Sequence, residues 1–523
     1  MRILLVSPDL PATFWSLKHA LAFMSKSALV PPLGLLTVAA MLPPDWDKRL
    51  VDMACADLRD EDIRWADYVF ISAMVVQRES AREAIDRCRR LGAKVVAGGP
   101  LFTAAPEQFD DVDHLVLGEA EVILPEFLRD LEAGRAAHLY RAEGWADLKR
   151  TPAPLWELAD VNRYGVLPIQ YSRGCPFDCE FCDVTTLFGH EVRTKTVEQV
   201  LDELDRLHAL GWRREVFFVD DNFISHRSRL KRELLPALIA WMERHRYPFS
   251  FYTQASINLA DDEELMKLMG EAGFECVFVG IETLSDATFA ECNKVQNKGR
   301  DLATCIRKIQ QFGMQVQAGF ILGFDSDPPT IFDDLIEFIQ ASGVVTAMVG
   351  LLRPPRGTRL YERLAREGRL LEPTGHDNTD GSLNFVPAMK SEDLIAGWRR
   401  VVATLYAPPR YYARIWKFIE TWKPLHKARV GNGWRDVQGL LMTIYHLGIR
   451  DKHRRQFWRL FAWCVRHPRD QHTILTLAAL GHHFRRVFAD LPAQPAHEKP
   501  AGIWKKRTDL PDFDALRAEW DRK

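Results

Sequence analysis

Three of the nine cysteines in this 523-residue chain lie within eight positions, in the segment YSRGCPFDCEFCDV (171–184). Cys175, Cys179 and Cys182 have the spacing C-x3-C-x2-C. A structural zinc site usually has four protein ligands in two separated pairs. No second pair follows here, and His190 is the nearest further ligand candidate. Because cysteine thiolates hold iron–sulfur clusters, we predict a cluster with one open iron. The alternatives are a Cys3His zinc site and reduced loop cysteines that bind no metal.

The first 140 residues alternate short β-branched runs with helical patterns, which is typical of a parallel sheet with crossover helices. Five strands are predicted, at 2–8, 48–54, 68–74, 94–100 and 114–119. Ligands bind at the carboxyl ends of such strands. Small or polar residues stand at several of these ends: Ser7, Ser72, Gly98, Gly99 and Gly118. We predict a doubly wound domain at 1–140 and a proline-containing linker at 141–165.

A second alternating region is predicted at 166–365. Its helix at 196–211 has Thr196 and Gln199 in capping-box spacing and ends at Gly211. Six successive strands with intervening helices predict a partial or full (β/α) barrel, in which the chemistry sits at the carboxyl ends of the strands. The cysteine segment follows the first of these strands.

The strand pattern stops near residue 370, and a mostly helical domain is predicted at 366–523. Between residues 426 and 490 there are twelve Lys or Arg and four Asp or Glu. The segment DKHRRQFWRLFAWCVRHPRD (451–470) interleaves arginines with aromatic residues. It is open to three interpretations: a helix that buries its aromatic side chains, a helix that docks on a lipid surface, or an RNA-binding helix.

The composition bounds the class of protein. A formal charge of −2 gives no reason to expect a nucleic-acid partner. The other six cysteines show no disulfide spacing, which fits a reducing cytoplasm. The opening MRILLVSPDL predicts a buried strand, not a signal peptide. Without a charge-free apolar run of about 18 residues, any membrane contact is expected to be peripheral, at the inner face.

The cysteine segment carries a family resemblance. RGCPFDCEFCDV, with Phe181 directly before the last cysteine, resembles the radical S-adenosylmethionine (radical SAM) superfamily. Four further segments resemble parts of its barrel: FFVDDNF (217–223), GIETLSDATFAECNK (280–294), AGFILGF (318–324) and LLRPPRGTRLY (351–361). The first domain resembles the cobalamin-binding domain of one large subgroup. Residues 379–414 are similar to the C-terminal region of hopanoid C-2 methylase-like members.

The resemblance implies a site at the barrel mouth. Cys175, Cys179 and Cys182 would ligate three irons of a 4Fe-4S cluster, and the fourth iron would chelate SAM. Phe181 would lie against the adenine. Further SAM contacts are expected from Asp220, Asp221, Asn222, Gln254, Ser256 and Glu282. The competing interpretation is that these polar residues are turn, cap or half-exposed strand residues. No catalytic residue is assigned.

Cobalamin contacts are expected from Ser72, Gly98, Gly99, Gly118 and Glu119. Many cobalamin domains have Asp-x-His-x-x-Gly after the first strand, but this chain reads DLPATFWSLKHA there. Cobalt would therefore bind without a histidine ligand.

We therefore predict a radical SAM enzyme that methylates an unactivated carbon of a small or lipid-like, hopanoid-type substrate. It would use cobalamin and take electrons from a donor such as flavodoxin or ferredoxin. One rival is radical chemistry without methyl transfer, such as dehydrogenation, ring contraction or carbon–carbon coupling. Another is a non-catalytic metal-binding interaction module.

Overall fold

The computed structural model describes residues 1–371, 377–425 and 434–489. Its first sheet is parallel, with six strands in the order β2-β1-β3-β4-β5-β6. The strands are β1 Arg2–Ser7, β2 Asp47–Asp52, β3 Tyr68–Ser72, β4 Lys94–Gly98, β5 His114–Leu117 and β6 Leu139–Arg141. The prediction of five strands missed β6, which has three residues and only one buried side chain. The order reverses between β1 and β3, and such a switch point opens a crevice at the strand ends.

Both faces of this sheet are covered. Leu4 and Val6 of β1 belong to one apolar cluster, and Ile3 and Leu5 belong to another. This explains the unbroken apolar run RILLVS, since a strand buried on both faces has no polar side to alternate with. The covering helices are Leu33–Met41, Asp60–Trp65, Arg78–Arg90, Pro100–Ala104 and Ala120–Glu132, with 3-10 turns at Val75–Gln77 and Pro106–Gln108. The helix Lys18–Leu21 and the 3-10 turn Ala22–Met24 pack against C-terminal helices instead.

The second sheet also has six parallel strands, in the order β7-β10-β11-β12-β13-β14. They are β7 Leu167–Ile169, β10 Glu215–Phe218, β11 Ser250–Ala255, β12 Phe274–Glu282, β13 Gln315–Leu322 and β14 Ala347–Leu351. The first and last strands do not pair with each other, so the barrel is partial. A two-stranded antiparallel ribbon, β8 Ser172–Arg173 and β9 Arg193–Thr194, frames the cysteine loop.

The predicted helix at 196–211 is confirmed as Val197–Ala209. Its capping box forms as expected, because the Thr196 amide donates to Gln199 Oε1 at 2.9 Å and the Gln199 amide donates to Thr196 Oγ1 at 3.2 Å. The other barrel helices are Val184–Phe188, Arg227–Arg229, Leu235–Arg244, Glu263–Ala272, Asp286–Glu291, Leu302–Gln311, Ile331–Ser342 and Arg359–Arg366, with a π-helical turn at Leu230–Leu234 and 3-10 turns at Phe223–His226 and Ile257–Asp261. The predicted linker carries 3-10 turns at Leu148–Arg150, Trp156–Leu158 and Val161–Arg163.

The C-terminal helices pack on the barrel. Trp398 Nε1 donates to the Val349 carbonyl of β14 at 2.8 Å, and the Tyr406 hydroxyl donates to the Ala347 carbonyl at 2.6 Å. At the far end of the chain, the Phe484 ring stacks on Phe14 at 4.1 Å. The helices are Ser391–Tyr406, Pro408–Thr421, Trp434–Thr443 with a π-helical continuation at Ile444–Arg450, Arg454–Arg466 and Gln471–Ala489.

No helix within these three ranges has both the length and the apolar composition needed to cross a bilayer. The domain boundaries at residues 140, 165 and 365 stay predictions.

Candidate functional site

One cavity of about 2780 Å³ extends from the carboxyl ends of the two sheets through the partial barrel to the C-terminal helices, and it also reaches the amino ends of the barrel strands at Glu215, Ser250 and Gln315. Ser72, Gly98 and Gly118 line it from the first domain, and Phe181 and Asp221 line it from the barrel mouth. The two groups of residues that the sequence singled out for separate cofactors therefore face the same space.

Asp220 anchors the start of the cysteine loop. It is fully buried, and its carboxylate accepts from the Tyr171 amide at 3.1 Å and from the amide and hydroxyl of Ser172. Burial raises the pKa of Asp220 to about 7, although these hydrogen bonds act in the opposite direction. The residue thus ties the end of β10 to β8 and sets where the loop begins.

The three cysteines share a neighbouring cation, Lys294, which the sequence analysis did not single out. Burial raises the pKa of the Cys182 thiol to about 12, and the charge of Lys294 acts to lower it. Lys294 acts in the same direction on Cys175 and Cys179. Since the thiolate is the form that binds metal, a fixed cation at this position favours metal binding. Lys294 is the last residue of the segment GIETLSDATFAECNK (280–294) and lies 112 to 119 positions after the cysteines, so the sequence alone did not connect it with them.

Glu282 holds Lys294 in place. Its Oε1 lies 2.6 Å from Lys294 Nζ, and both side chains are 10% exposed. Burial disfavours the Lys294 charge, but Glu282 and the thiols hold the pKa of Lys294 above its ordinary value. Glu282 follows a register shift at the end of β12 and has a φ of +67°. Such backbone strain in a non-glycine residue is common where a side chain must be aimed at a site.

Gln296 is a second neighbour that the sequence analysis missed. Its Nε2 donates toward Cys179 Sγ at 3.7 Å. Asn297, also buried, donates to the carbonyls of Gly280 and Ile281 at 3.1 and 2.9 Å and so fixes this segment to β12. The segment at 294–297 therefore presents an ammonium and an amide donor to the cysteine loop.

The predicted SAM contacts divide into two groups. Asp221, Phe181 and Gln254 line the cavity. Asp221 Oδ2 is buried without a hydrogen-bond partner in the described part of the chain, and burial raises the pKa of this carboxyl to about 6. The Phe181 ring lies 5.8 Å from the Phe324 ring and 5.8 Å from Lys294 Nζ.

Asn222 and Ser256 form the second group and bond to each other. Asn222 Oδ1 accepts from the Ser256 amide at 3.1 Å, and the Ser256 hydroxyl donates to Asn258 Oδ1 at 2.7 Å. Both side chains are buried next to a small separate pocket. Their polar atoms link the ends of β10 and β11.

In the first domain, Gly98, Gly99 and Gly118 form a tight edge beside Ser72. A Cβ at Gly99, whose φ is +93°, would lie 2.5 Å from Ser72 Oγ. Glu119 is different: its Oε2 lies 2.7 Å from Arg193 Nη1, and its side chain is 2% exposed. Arg173 pairs with Glu121 at 2.8 Å nearby. These two ion pairs join the first domain to the ribbon that frames the cysteine loop.

The residues fit a cluster by their donor chemistry: three thiols on one loop, a fixed cation and an amide donor. In the described ranges, no group of three or more His, Cys, Asp or Glu is close enough to hold one metal ion. A 4Fe-4S cluster does not require the three thiols to meet at one ion, because each thiolate binds a separate iron. His190 is 57% exposed, and its Nε2 lies 4.0 Å from Asp178.

Comparison with known protein families gives matches to each of the three parts of the chain. Residues 26–128 match the family described as "B12 binding domain", and residues 169–339 match "Radical SAM superfamily". Residues 358–496 match a domain of unknown function, DUF4070.

Two curated relatives match over most of their length. An uncharacterized methyltransferase of Synechocystis is 39% identical over 491 residues, which are 92% of this chain and 91% of the relative. The hopanoid C-2 methylase of Rhodopseudomonas palustris is 33% identical over 496 residues, which are 92% of each chain.

The fold resembles that of a solved protein, the cobalamin-dependent S-adenosylmethionine radical enzyme OxsB. The TM-score is 0.62 at 14% identity, and the match covers 100% of this chain and 84% of that one. The likeness concerns the fold, whereas the sequence relatives establish the family. The chain belongs to the radical SAM superfamily, in the group of methyltransferases whose barrel follows a B12-binding domain.

Proposed function

We propose that this enzyme transfers a methyl group to an unactivated carbon of an apolar, lipid-like substrate of the hopanoid type. The observation that carries the proposal is the large cavity, which joins the barrel mouth and interior, the edge of the B12-binding domain and the C-terminal helices. A substrate in that cavity would lie between the two cofactors of the family. When bound, the 4Fe-4S cluster would supply the electron that cleaves SAM to methionine and a 5′-deoxyadenosyl radical, and cobalamin would carry the methyl group.

At the barrel mouth, Cys175, Cys179 and Cys182 would hold the cluster. Asp221 is the proposed partner of the SAM ammonium, because its buried Oδ2 lacks a partner in the described residues and the residue lines the cavity. Phe181 would pack against the adenine, and Gln254 would contact the methionine or ribose. Asp220, Asn222, Ser256 and Glu282 would act indirectly, since their polar atoms already bind the protein.

In the first domain, Ser72, Gly98, Gly99 and Gly118 would contact cobalamin. The carboxylate of Glu119 is engaged by Arg193, so we propose that Glu119 positions the cysteine loop. The sequence offers no Asp-x-His-x-x-Gly motif, which supports cobalt without a histidine ligand. A one-electron donor such as flavodoxin or ferredoxin would reduce the cluster.

The walls of the cavity support an apolar substrate. Leu475, Leu480 and Phe484 line it from the last helix, and Leu21 and Phe23 line it from the first domain. Apolar walls with a few placed polar groups are typical of small-molecule sites. Similarity to a protein named as a hopanoid methylase points to the same substrate class.

Two glycine variants test the cobalamin edge. Gly99→Ala places a methyl 2.5 Å from Ser72 Oγ at the cavity wall, whereas Gly92→Ala places one in open space. Both positions have positive φ, +93° and +71°, but the ψ of −177° at Gly99 lies in a region that is nearly exclusive to glycine. Gly99→Ala therefore carries the greater backbone strain, and the free energy of unfolding of both variants is measured beside cobalamin retention. We expect Gly99→Ala to retain at least about tenfold less cobalamin, measured by absorbance after reconstitution and desalting. Equal retention by the two variants would contradict the assignment.

The proposed function is tested in cells and with purified protein. Lipid extracts from cells with the intact gene should contain a species one methylene heavier than extracts from cells carrying Cys179→Ala. Anaerobic protein with reductant, SAM and methylcobalamin should form that species from its unmethylated counterpart. Formation of 5′-deoxyadenosine without methyl transfer, or failure to bind cobalamin under saturating supply, would favour the rival chemistry.

A further inference from the structure

One helix of the C-terminal domain has an exposed apolar face. The helix Trp434–Thr443 continues directly into the π-helical segment Ile444–Arg450. Four large apolar side chains follow one another at intervals of four residues: Val437, Leu441, Tyr445 and Ile449. Their exposed fractions are 45%, 55%, 45% and 56%. Residues spaced four apart share a face of a helix, and we call this the apolar stripe.

The opposite side of the same helix forms part of the cavity wall. Leu440 and Thr443 line the cavity, and Leu447 is buried in the core. Val437 belongs both to the stripe and to the cavity lining. The stripe therefore begins at the rim of the cavity and runs outward along the surface.

Basic and aromatic side chains border the stripe. The Arg450 guanidinium lies 5.7 Å from the centre of the Tyr445 ring, and Arg454 Nη1 donates to the Ile449 carbonyl at 3.4 Å. Trp458, 42% exposed, donates from Nε1 to the Gly448 carbonyl at 2.9 Å. The neighbouring acid, Asp451, is turned inward, with a 10% exposed side chain that pairs with Arg485. Among the side chains that the structure describes, those on the outer rim are thus positively charged.

We propose that the apolar stripe docks on the anionic surface of a lipid bilayer and sets the cavity rim against it. Aliphatic residues bordered by Arg, Tyr and Trp are typical of helices that lie in a membrane interface. Anionic headgroups complement Arg450 and Arg454, whereas a neutral surface would not. The inference deepens the proposed function. It rests on that function only for the role of docking, which would let an apolar substrate pass from the bilayer into the cavity.

Vesicle flotation of the full-length protein tests the docking. We expect the wild type to float with vesicles of phosphatidylcholine mixed with phosphatidylglycerol, and much less with phosphatidylcholine alone. The double variant Leu441→Glu/Ile449→Glu should bind at least about tenfold more weakly. Arg450→Gln and Arg454→Gln should each lose about fivefold, with a smaller loss at high salt. The control is Leu139→Glu, at an equally exposed residue of β6, which should bind as the wild type does.

Two outcomes would overturn the inference: a wild type that does not float with anionic vesicles, and a double variant that binds them as well as the wild type. The first would favour a protein partner for the stripe. Reductive SAM cleavage without vesicles should be equal in the wild type and the double variant, which shows that the variant folds. Docking with no methylated lipid would count against the substrate class alone, so the two proposals fail separately.

Discussion

Cys179→Ser is expected to remove the iron of the cluster and to abolish reductive cleavage of SAM. Loss of a direct thiolate ligand should lower cluster affinity and the rate of SAM cleavage by more than about 100-fold. Mutation of a group that only supports a metal ligand already lowers metal affinity or activity by about 10–100-fold. Iron and sulfide content, absorbance of the anaerobically reconstituted protein, and 5′-deoxyadenosine formation with a chemical reductant measure the loss. The same result is expected for Cys175→Ser and Cys182→Ser, because the three thiols would bind separate irons.

Cys305→Ser is the matched control, because Cys305 is a half-buried free cysteine outside the loop. It should retain iron and SAM cleavage. The iron content and SAM cleavage of Gln296→Met should lie between those of Cys179→Ser and Cys305→Ser, since this change removes one hydrogen-bond donor to Cys179 and keeps the side-chain volume. Normal iron content in Cys179→Ser would refute the proposed ligand set.

Lys294→Met is expected to have the second large effect. It leaves the Glu282 carboxylate buried without its partner, which typically lowers the free energy of unfolding by about 3–5 kcal/mol. It also removes the cation beside the three thiols, so iron loading should fall as well. Urea unfolding of the iron-free protein and iron content after reconstitution measure the two effects.

The control for Lys294 is a surface ion pair of the same type. Lys308 Nζ lies 2.9 Å from Glu263, with side chains 34% and 67% exposed, and Lys308→Met should cost at most about 1 kcal/mol. The double variant Glu282→Gln/Lys294→Met should recover part of the stability but not the iron loading. Equal free energies of unfolding for Lys294→Met and Lys308→Met would show that the Glu282–Lys294 pair does not stabilise the fold.

Much of this protein could be read from local patterns. The cysteine spacing, the apolar runs of β1 and the capping box at Thr196 and Gln199 each depend on residues close together in the chain. A buried parallel strand is a short continuous apolar run, whereas an amphipathic helix repeats its apolar residues every three to four positions, so a few residues distinguish the two. The six barrel strands and the helical C-terminal domain were therefore predicted correctly, whereas β6 was missed because three residues carry almost no periodic signal.

Tertiary structure decided which polar residues face the cavity. Asp220, Asp221 and Asn222 are adjacent in the sequence, yet only Asp221 lines the cavity, because the strand end turns the other two toward the protein. Whether such residues point inward depends on strand register, which a local pattern does not contain.

The sequence by itself determined the family, the two sheets and the loop that carries the three cysteines, since each rests on short-range spacing. Only the tertiary structure placed Lys294 near those thiols, paired Glu119 with Arg193, and brought the edges of two domains together at one cavity. The physical reason is distance along the chain. Contacts between residues tens to hundreds of positions apart depend on how parallel strands align and how domains pack, and no local periodicity records that arrangement.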